Sequence, residues 1–282
     1  MNIVSVEQSI KIYMDYHKTN SRPNTVRSFG YTLAKFSEAF STEDITKVSD
    51  VKVLNFLDSL TKGLAQSTKS GRAAHLSALF NFISDTFDLD FPNPCRKGSI
   101  KKLYRTPRYN PLKLIDKDTI DEIIYRAEGR DRIMLELMGR TAMRVGEVLN
   151  IKPEDLNQDV NFVTVTQPKS GRQGEVVFLN KKLMKKLASF IRDKNIQNTC
   201  KVFTLSYTTI FRTVRRLGNA LGVKLRPHDL RRHAATQASR AGVPLEIISK
   251  VILRHKDLKT TQRYLGKVDD LEASRVIEAL LG

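Results

Sequence analysis

The sequence predicts a mainly helical chain in two domains, with one small antiparallel sheet in the second. Three observations carry this. Apolar residues recur at three-four spacing in four successive segments of roughly the first 90 residues. A proline-rich basic stretch then breaks the periodicity. One alternating segment with two glycines follows, with helical patterns on both sides of it.

The first helix is set by Val6, Ile10 and Tyr13, at i, i+4 and i+7. The second is set by Val26, Phe29, Leu33, Phe36 and Phe40, with "SRPN" as its start signal. Leu54, Leu57 and Leu60 mark a third, which Ser49-Asp50 can cap. Leu76, Leu79, Phe80 and Ile83 mark a fourth. Together they predict an all-α domain over residues 1–93. The stretch "FPNPCRKGSIKKLYRTPRYNP" has four prolines and no helical period. Between Arg96 and Arg108, six of thirteen residues are basic and none is acidic. Prolines and like charges predict an extended linker over 94–111, either solvated or strapped along a phosphate backbone.

The second domain is expected over 112–282. "DKDTIDEIIYRAE" begins with a capping pattern and reads as helix. "RDRIMLELMGRTAM" is a second helix, apolar on nearly all sides, and "VGEVLNI" starts a third. "NFVTVTQPKSGRQGEVVFL" alternates and turns at Ser170-Gly171, with Gly174 beyond, which is a hairpin signal. Helices resume at "NKKLMKKLASFIRDK" and continue to the end.

Charge narrows the function. Lys and Arg number 48 against 30 Asp and Glu, a net +18, which favours a polyanionic partner. Nucleic acid fits better than membrane, because no strongly apolar amphipathic face accompanies the charge. No apolar run approaches the roughly 20 residues that span a bilayer. The N-terminal stretch is interrupted by charges and does not read as a signal peptide. Cys95 and Cys200 are too few for a disulfide framework and suit free thiols in a reducing cytoplasm. No His/Cys cluster suggests zinc, and no acidic cluster suggests a divalent metal.

Among the eight tyrosines, Tyr264 in "TTQRYLGKV" poses the chemical question. A phenol with a pKa near 10 is a poor nucleophile at neutral pH. To attack a phosphodiester it needs guanidinium groups on the non-bridging oxygens and proton donors for the leaving oxygen. "GRTAMRVGEVLNI" offers Arg144, with Glu147 three residues on. The hairpin turn offers Lys169, with Arg172 close enough to compete. "RPHDLRRHAATQ" offers His228 and Arg231 on one face of a helix start. "ILRHKDLKTTQRY" places His255 nine residues before Tyr264. His17, His75 and His233 read as non-catalytic.

These pieces, in this order, resemble the tyrosine recombinases, or tyrosine integrases. The motifs are Arg in "TAMRVGEVLNI", Lys in a β-hairpin, "HDLR", a His after an apolar helix, and Tyr nine residues beyond it. The resemblance covers the whole chain, because the family also has a helical N-terminal domain, a linker and a catalytic domain of this length. It implies that Arg144 and Arg231 clamp the scissile phosphate and that Lys169 protonates the leaving 5′ oxygen. It implies that His228 assists proton transfer, that His255 bonds a non-bridging oxygen, and that Tyr264 forms a 3′-phosphotyrosyl bond. Glu147 is either a support, bonding Arg144 or His228, or only a structural carboxylate. The covalent link conserves the phosphodiester energy, so no metal, ATP or other cofactor is implied. Lys69 and Arg72 on the fourth helix, and Lys101, Lys102 and Arg105 in the linker, are candidate DNA contacts; Lys69 and Arg72 fit a solvated face equally well.

The implied partner is a double-stranded DNA recombination site. The implied working form is a homotetramer on two synapsed sites, from a monomer or dimer when free, in the cytoplasm. The final helix, "DLEASRVIEALL", packs on its own domain or docks on a neighbouring protomer. Chain length favours a Xer-type resolver of chromosome or plasmid dimers over a plasmid or viral integrase, and the "QRYLGKV" ending resembles archaeal members. A type IB topoisomerase is disfavoured by the compact N-terminal domain, and a non-catalytic DNA-binding protein by the intact residue set. Three departures stand out. Arg254 precedes His255 where the family often has Gly, Arg232 replaces a common His, and the hairpin reads "PKSGRQGEVV".

Overall fold

The computed structural model describes residues 4–105, 114–166, 174–255 and 257–262. The chain divides into two compact units, Met1–Asn110 and Pro111–Gly282.

In the first unit, α1 (Val6–Asn20) opens with a capping box: the Ser5 hydroxyl accepts from the Gln8 amide, and the Gln8 side chain accepts from the Ser5 amide. Helix α2 (Pro23–Phe40) starts on a proline, whose missing N–H costs nothing there. Helix α3 (Asp50–Thr61) is capped by Ser49, which accepts from the Lys52 amide. Helix α4 (Gln66–Phe87) ends at Asp88, a left-handed residue with φ of 48°. It packs against the other three helices. Val6, Tyr13, Leu33, Phe36, Leu57, Leu76, Phe80 and Ile83 lie at the centre of the core.

Two details differ from the sequence expectation. The buried face of α3 is Val53, Leu57 and Thr61, not Leu54, Leu57 and Leu60. Thr61 is tolerated there because its hydroxyl donates to the Leu57 carbonyl at 2.7 Å. The larger correction concerns the linker. Residues 94–105 are not extended: a 3-10 turn at Pro94–Arg96 leads into α5 (Gly98–Leu103). The reason is a short apolar period hidden among the charges. Ile100 and Tyr104, four apart, are both buried in the first core together with Cys95. Lys101, Lys102 and Arg105 stay outside, exposed. The Tyr104 hydroxyl donates to Asp58, and the Gln66 amide holds the Leu103 and Arg105 carbonyls at 2.7 and 3.0 Å.

In the second unit, α6 (Lys117–Arg126) is capped by Asp116. Helix α7 (Gly129–Thr141) is buried from Ile133 through Gly139, so it forms the axis of the unit. The helix expected from Val145 is one turn, α8 (Val145–Val148). The sheet follows: β1 (Leu156–Asn157), β2 (Phe162–Thr164) and β3 (Val176–Phe178), antiparallel in the order β1-β2-β3. Val163 faces Val177 and Thr164 faces Val176, which is the expected hairpin; the turn at Ser170-Gly171 lies outside the described residues. Then come α9 (Lys181–Asp193), α10 (Tyr207–Asn219), α11 (Pro227–Arg240), α12 (Leu245–Ile247) and α13 (Leu258–Gln262). Helices α6, α9 and α11 pack on α7 around Ile120, Ile124, Leu137, Met138, Leu187, Phe203, Val214 and Leu230. Helix α10 approaches the following loop so closely at Gly218 that a Cβ there would lie 2.6 Å from the Leu225 Cβ. Among the described residues no helix is long and apolar enough to cross a membrane.

Candidate active site

The site begins where α7 ends. Ala142 takes a left-handed φ of 56°, an unusual conformation for a residue with a Cβ. The chain reverses and leaves Arg144 as the residue before α8. The Arg144 amide donates to Glu147 Oε2 at 2.8 Å, and its Nη1 donates to Glu147 Oε1 at 2.6 Å. One carboxylate thus caps α8 and holds the guanidinium.

Arg231 comes from α11 and is only 1% exposed. Its Nη1 donates to the Ala142 carbonyl and its Nη2 to the Leu253 carbonyl. Arg144 Nη2 donates to the same Leu253 carbonyl, and to that of Arg254, each at 3.2 Å. Two guanidinium groups from distant segments therefore converge on one backbone oxygen.

That oxygen belongs to an irregular turn. Helix α12 runs into a π-helical turn, Ile248–Ile252, a feature common at functional sites. The Leu253 amide closes on Ile248 and the His255 amide on the Ser249 carbonyl at 2.9 Å. His255 is buried. Its Nδ1 lies 2.9 Å from the Thr261 hydroxyl, which itself donates to the Ser249 hydroxyl at 2.8 Å. Thr261 sits on α13, three residues before Tyr264 in the chain.

Arg254 lies between the clamp and His255 with a left-handed φ of 50°. Its side chain is 3% exposed. Nη2 donates to Glu147 Oε2 at 2.6 Å, Nη1 donates to the Ile252 carbonyl at 3.0 Å, and Nε is 3.7 Å from Glu175 Oε2. Glu175 leads into β3, and its carbonyl accepts from the Val165 amide across the hairpin.

The electrostatics tie these groups together. Burial, then repulsion from Arg231, Arg144 and the His228 ring, lowers the His255 pKa to about 4. His228 keeps an exposed edge on the first turn of α11. Partial desolvation, then Arg231 and Arg232, brings it also to about 4, against the attraction of Asp229. Both rings are therefore neutral at pH 7. Burial alone would raise the Glu147 carboxyl, but Arg254, the Arg144 amide and the Arg144 guanidinium outweigh it and hold it below the usual carboxylate range. Burial pulls the Arg254 pKa down against the attraction of Glu147, and a guanidinium keeps its proton regardless. The cluster combines guanidinium groups with neutral histidines, a combination suited to a phosphate.

The structure brings together Arg144, His228, Arg231 and His255, with Glu147 beneath Arg144. Lys169 and Tyr264 lie outside the described residues. Arg232 bridges to Asp229 within α11. His17 bonds Ser21, His75 bonds Ser28 and Thr32, and His233 is buried on α11. In the first unit Arg72 is engaged internally: Nη1 donates to the Leu60 carbonyl at 2.9 Å, and the guanidinium lies 4.6 Å above the Tyr31 ring. Lys69 is half-buried. Sequence reasoning missed the Leu253 carbonyl, Thr261, Ser249 and Glu175. It also missed α10, whose "YTTIFRTVRRLGN" exposes Arg212 and Arg216 one turn apart with no acidic residue between them. The run of three arginines in that segment was the available signal.

Comparison with known proteins bears on the whole chain. The model of the Phage integrase family matches residues 113–270. The tyrosine recombinase XerA of Saccharolobus solfataricus is 27% identical over 253 residues, 88% of this chain and 84% of that protein. XerA of Pyrococcus horikoshii is 28% identical over 275 residues, 92% of this chain and 90% of that protein. Among solved structures, the Tn1549 transposon integrase in complex with transposon right end DNA matches with a TM-score of 0.76 at 15% identity, covering 99% of this chain and 100% of that one. The XerH site-specific recombinase bound to palindromic difH substrate, a post-cleavage complex, matches with a TM-score of 0.74 at 20% identity, covering 98% of this chain and 84% of that one. These two likenesses establish the fold.

Proposed function

Since this chain belongs to the phage integrase family, we propose that it is a tyrosine-type site-specific recombinase, cutting and rejoining double-stranded DNA through Tyr264. The observation that carries this reading is the convergence of Arg144 and Arg231 on the Leu253 carbonyl beside His255. Arg144 is braced there by Glu147, and Arg231 by the Ala142 carbonyl. A scissile phosphate seated there has its non-bridging oxygens against two guanidinium groups, which stabilise the pentacoordinate transition state where charge builds up. Arg144 is the more adaptable of the two, 21% exposed against 1% for Arg231.

The Tyr264 phenolate attacks phosphorus and the 5′ oxygen leaves. The phosphodiester passes from deoxyribose to the tyrosine, so one ester bond replaces another and no outside energy source is needed. Lys169, on the segment between β2 and β3, gives its proton to the 5′ oxygen. His228, neutral at pH 7, accepts the phenol proton. His255 bonds a non-bridging oxygen. Reversal with a different 5′ hydroxyl completes strand exchange. Two whole-chain relatives named as XerA recombinases favour a Xer-type role, resolving chromosome or plasmid dimers, on a tetramer spanning two DNA sites. The exposed arginines of α10 and the exposed Lys101, Lys102 and Arg105 serve as phosphate contacts.

The test is covalent capture. Duplexes nicked near the cleavage position, drawn from a library of sites, are incubated with the protein without metal. The expected result is a protein–DNA adduct that Tyr264→Phe abolishes while leaving DNA affinity within about twofold. An adduct that persists in Tyr264→Phe, or that forms only with magnesium, refutes the mechanism.

A further inference from the structure

Arg254 occupies a position that argues for a purpose. A left-handed φ of 50° is natural for glycine and strained for arginine. The side chain is also almost wholly buried, which is costly for a charge unless partners compensate. Both costs come together in one residue directly before His255, and the buried charge is met by specific partners. Glu147 Oε2 lies at 2.6 Å and Glu175 Oε2 at 3.7 Å. The Arg254 carbonyl meanwhile accepts from Arg144 Nη2 at 3.2 Å.

We infer that Arg254 is a positioning residue that locks three parts of the site into register: the Arg144–Glu147 clamp, the return strand of the β2–β3 hairpin, and the turn that carries His255. The inference rests on the proposed recombinase reading and extends it. Glu147 offers two oxygens. The Arg144 guanidinium takes Oε1, while Oε2 accepts from both Arg254 and the Arg144 amide. Without Arg254, both oxygens fall to Arg144, and the phosphate clamp is turned inward. Formal charge points the same way. Arg144, Arg231 and Arg254 against Glu147 and Glu175 leave one net positive charge, and loss of Arg254 leaves none. At the hairpin, Glu175 is one residue from β3 and its carbonyl pairs with Val165 across the ladder. Anchoring Glu175 therefore fixes the base of the segment that bears Lys169.

The test uses the full-length protein and single-turnover cleavage of nicked DNA, with either oxygen or sulfur as the bridging 5′ atom. A sulfur leaving group needs no protonation, so it bypasses the general acid. Arg254→Gly is expected to cleave the oxygen substrate at least tenfold more slowly, with DNA affinity within threefold of wild type. It is expected to regain at least half of the lost rate, on a logarithmic scale, with the sulfur substrate. Arg254→Lys, which keeps charge without the planar fork, falls between. Cleavage of the oxygen substrate within twofold of wild type, or equal losses on oxygen and sulfur, overturns the inference. Should Arg254→Gly not fold, Arg254→Lys and Glu175→Gln carry the same comparison. If the wild-type protein forms no adduct on any substrate, the recombinase reading fails by itself. Amide exchange then decides for Arg254: the inference requires at least tenfold faster exchange of Val176, Val177 and Phe178 in Arg254→Gly, and unchanged protection overturns it.

Discussion

Replacing Glu147 by alanine strands two guanidinium groups at once. The carboxylate is 4% exposed and accepts three bonds: the Arg144 amide at 2.8 Å, Arg144 Nη1 at 2.6 Å and Arg254 Nη2 at 2.6 Å. The capping bond is worth about 1 kcal/mol. Removing one partner of a buried ion pair costs about 3–5 kcal/mol, because the other charge is left uncompensated. Arg254 bears most of that, since Arg144 can turn part of its fork to water. The expected loss for Glu147→Ala is therefore about 4 kcal/mol, or about 8–16 °C in Tm for a unit of this size. Glu147→Gln keeps the shape and one acceptor and should lose about half as much. The assay is thermal and urea unfolding followed by circular dichroism at 222 nm, which suits a helical chain without tryptophan. The double variant Glu147→Ala/Arg254→Gly removes the stranded charge and the left-handed strain together. It should recover at least about 2 kcal/mol relative to the sum of the single losses. A loss under about 1 kcal/mol for Glu147→Ala, or strict additivity in the double variant, would refute the view that this buried triad holds the site together.

Four further outcomes follow from the site and from the rest of the fold. The His255 pKa is about 4 in the folded chain and near 6.5 when unfolded, so the unfolded state takes the proton first as pH falls. Its contribution to stability is complete above pH 6.5 and declines toward pH 4, by about 2 kcal/mol at pH 5; urea midpoints at pH 7 and 5 should differ less in His255→Gln by that amount. Gly218→Ala forces a Cβ to within 2.6 Å of the Leu225 Cβ and 2.7 Å of the Val223 carbonyl oxygen. It should destabilise the second unit by about 1–3 kcal/mol, read as an earlier melting transition. Arg72→Ala should lower the stability of the first unit by about 1–2 kcal/mol, through its Leu60 bond and Tyr31 contact. Lys69→Ala should leave melting unchanged and reduce the slope of log affinity for DNA against log salt by about 1.

The fold was legible where local periodicity and burial coincide. The stripes of α1, α2 and α4 are what the three-four spacing describes, and Ser49 and Asp116 cap helices as their residue types suggest. Helix α5 was illegible because its two buried residues, Ile100 and Tyr104, sit among prolines and charges that carry the louder linker signal. The π-helical turn was illegible for a different reason. "LEIISKVI" reads as a plain amphipathic helix, and the turn's long-range support is the pair of bonds from Arg144 and Arg231 to the Leu253 carbonyl. At the site, four of the side chains expected from the sequence, Arg144, His228, Arg231 and His255, lie near one another. What joins them was not legible. A carbonyl such as that of Leu253 leaves no mark in residue identity. Arg254 was visible as a departure from glycine, but nothing in its neighbours along the chain pointed to Glu147, more than a hundred residues earlier, as its partner.

The hydroxyl of Thr261 has a consequence for proton counting. It donates to Ser249, so toward His255 it can only accept. The neutral ring therefore carries its single hydrogen on Nδ1 and leaves a lone pair on Nε2. A lone pair repels a phosphate oxygen. For His255 to bond the DNA as proposed, the ring has to gain a hydrogen on Nε2, and the phosphate's own charge supplies the incentive by lifting the pKa from about 4. On that reading, docking the scissile phosphate favours protonation of this ring. Through this ring, affinity strengthens as the solution becomes more acidic. A small buried alcohol on the segment leading to Tyr264 thus ties the proposed phosphate contact to the protonation of one ring.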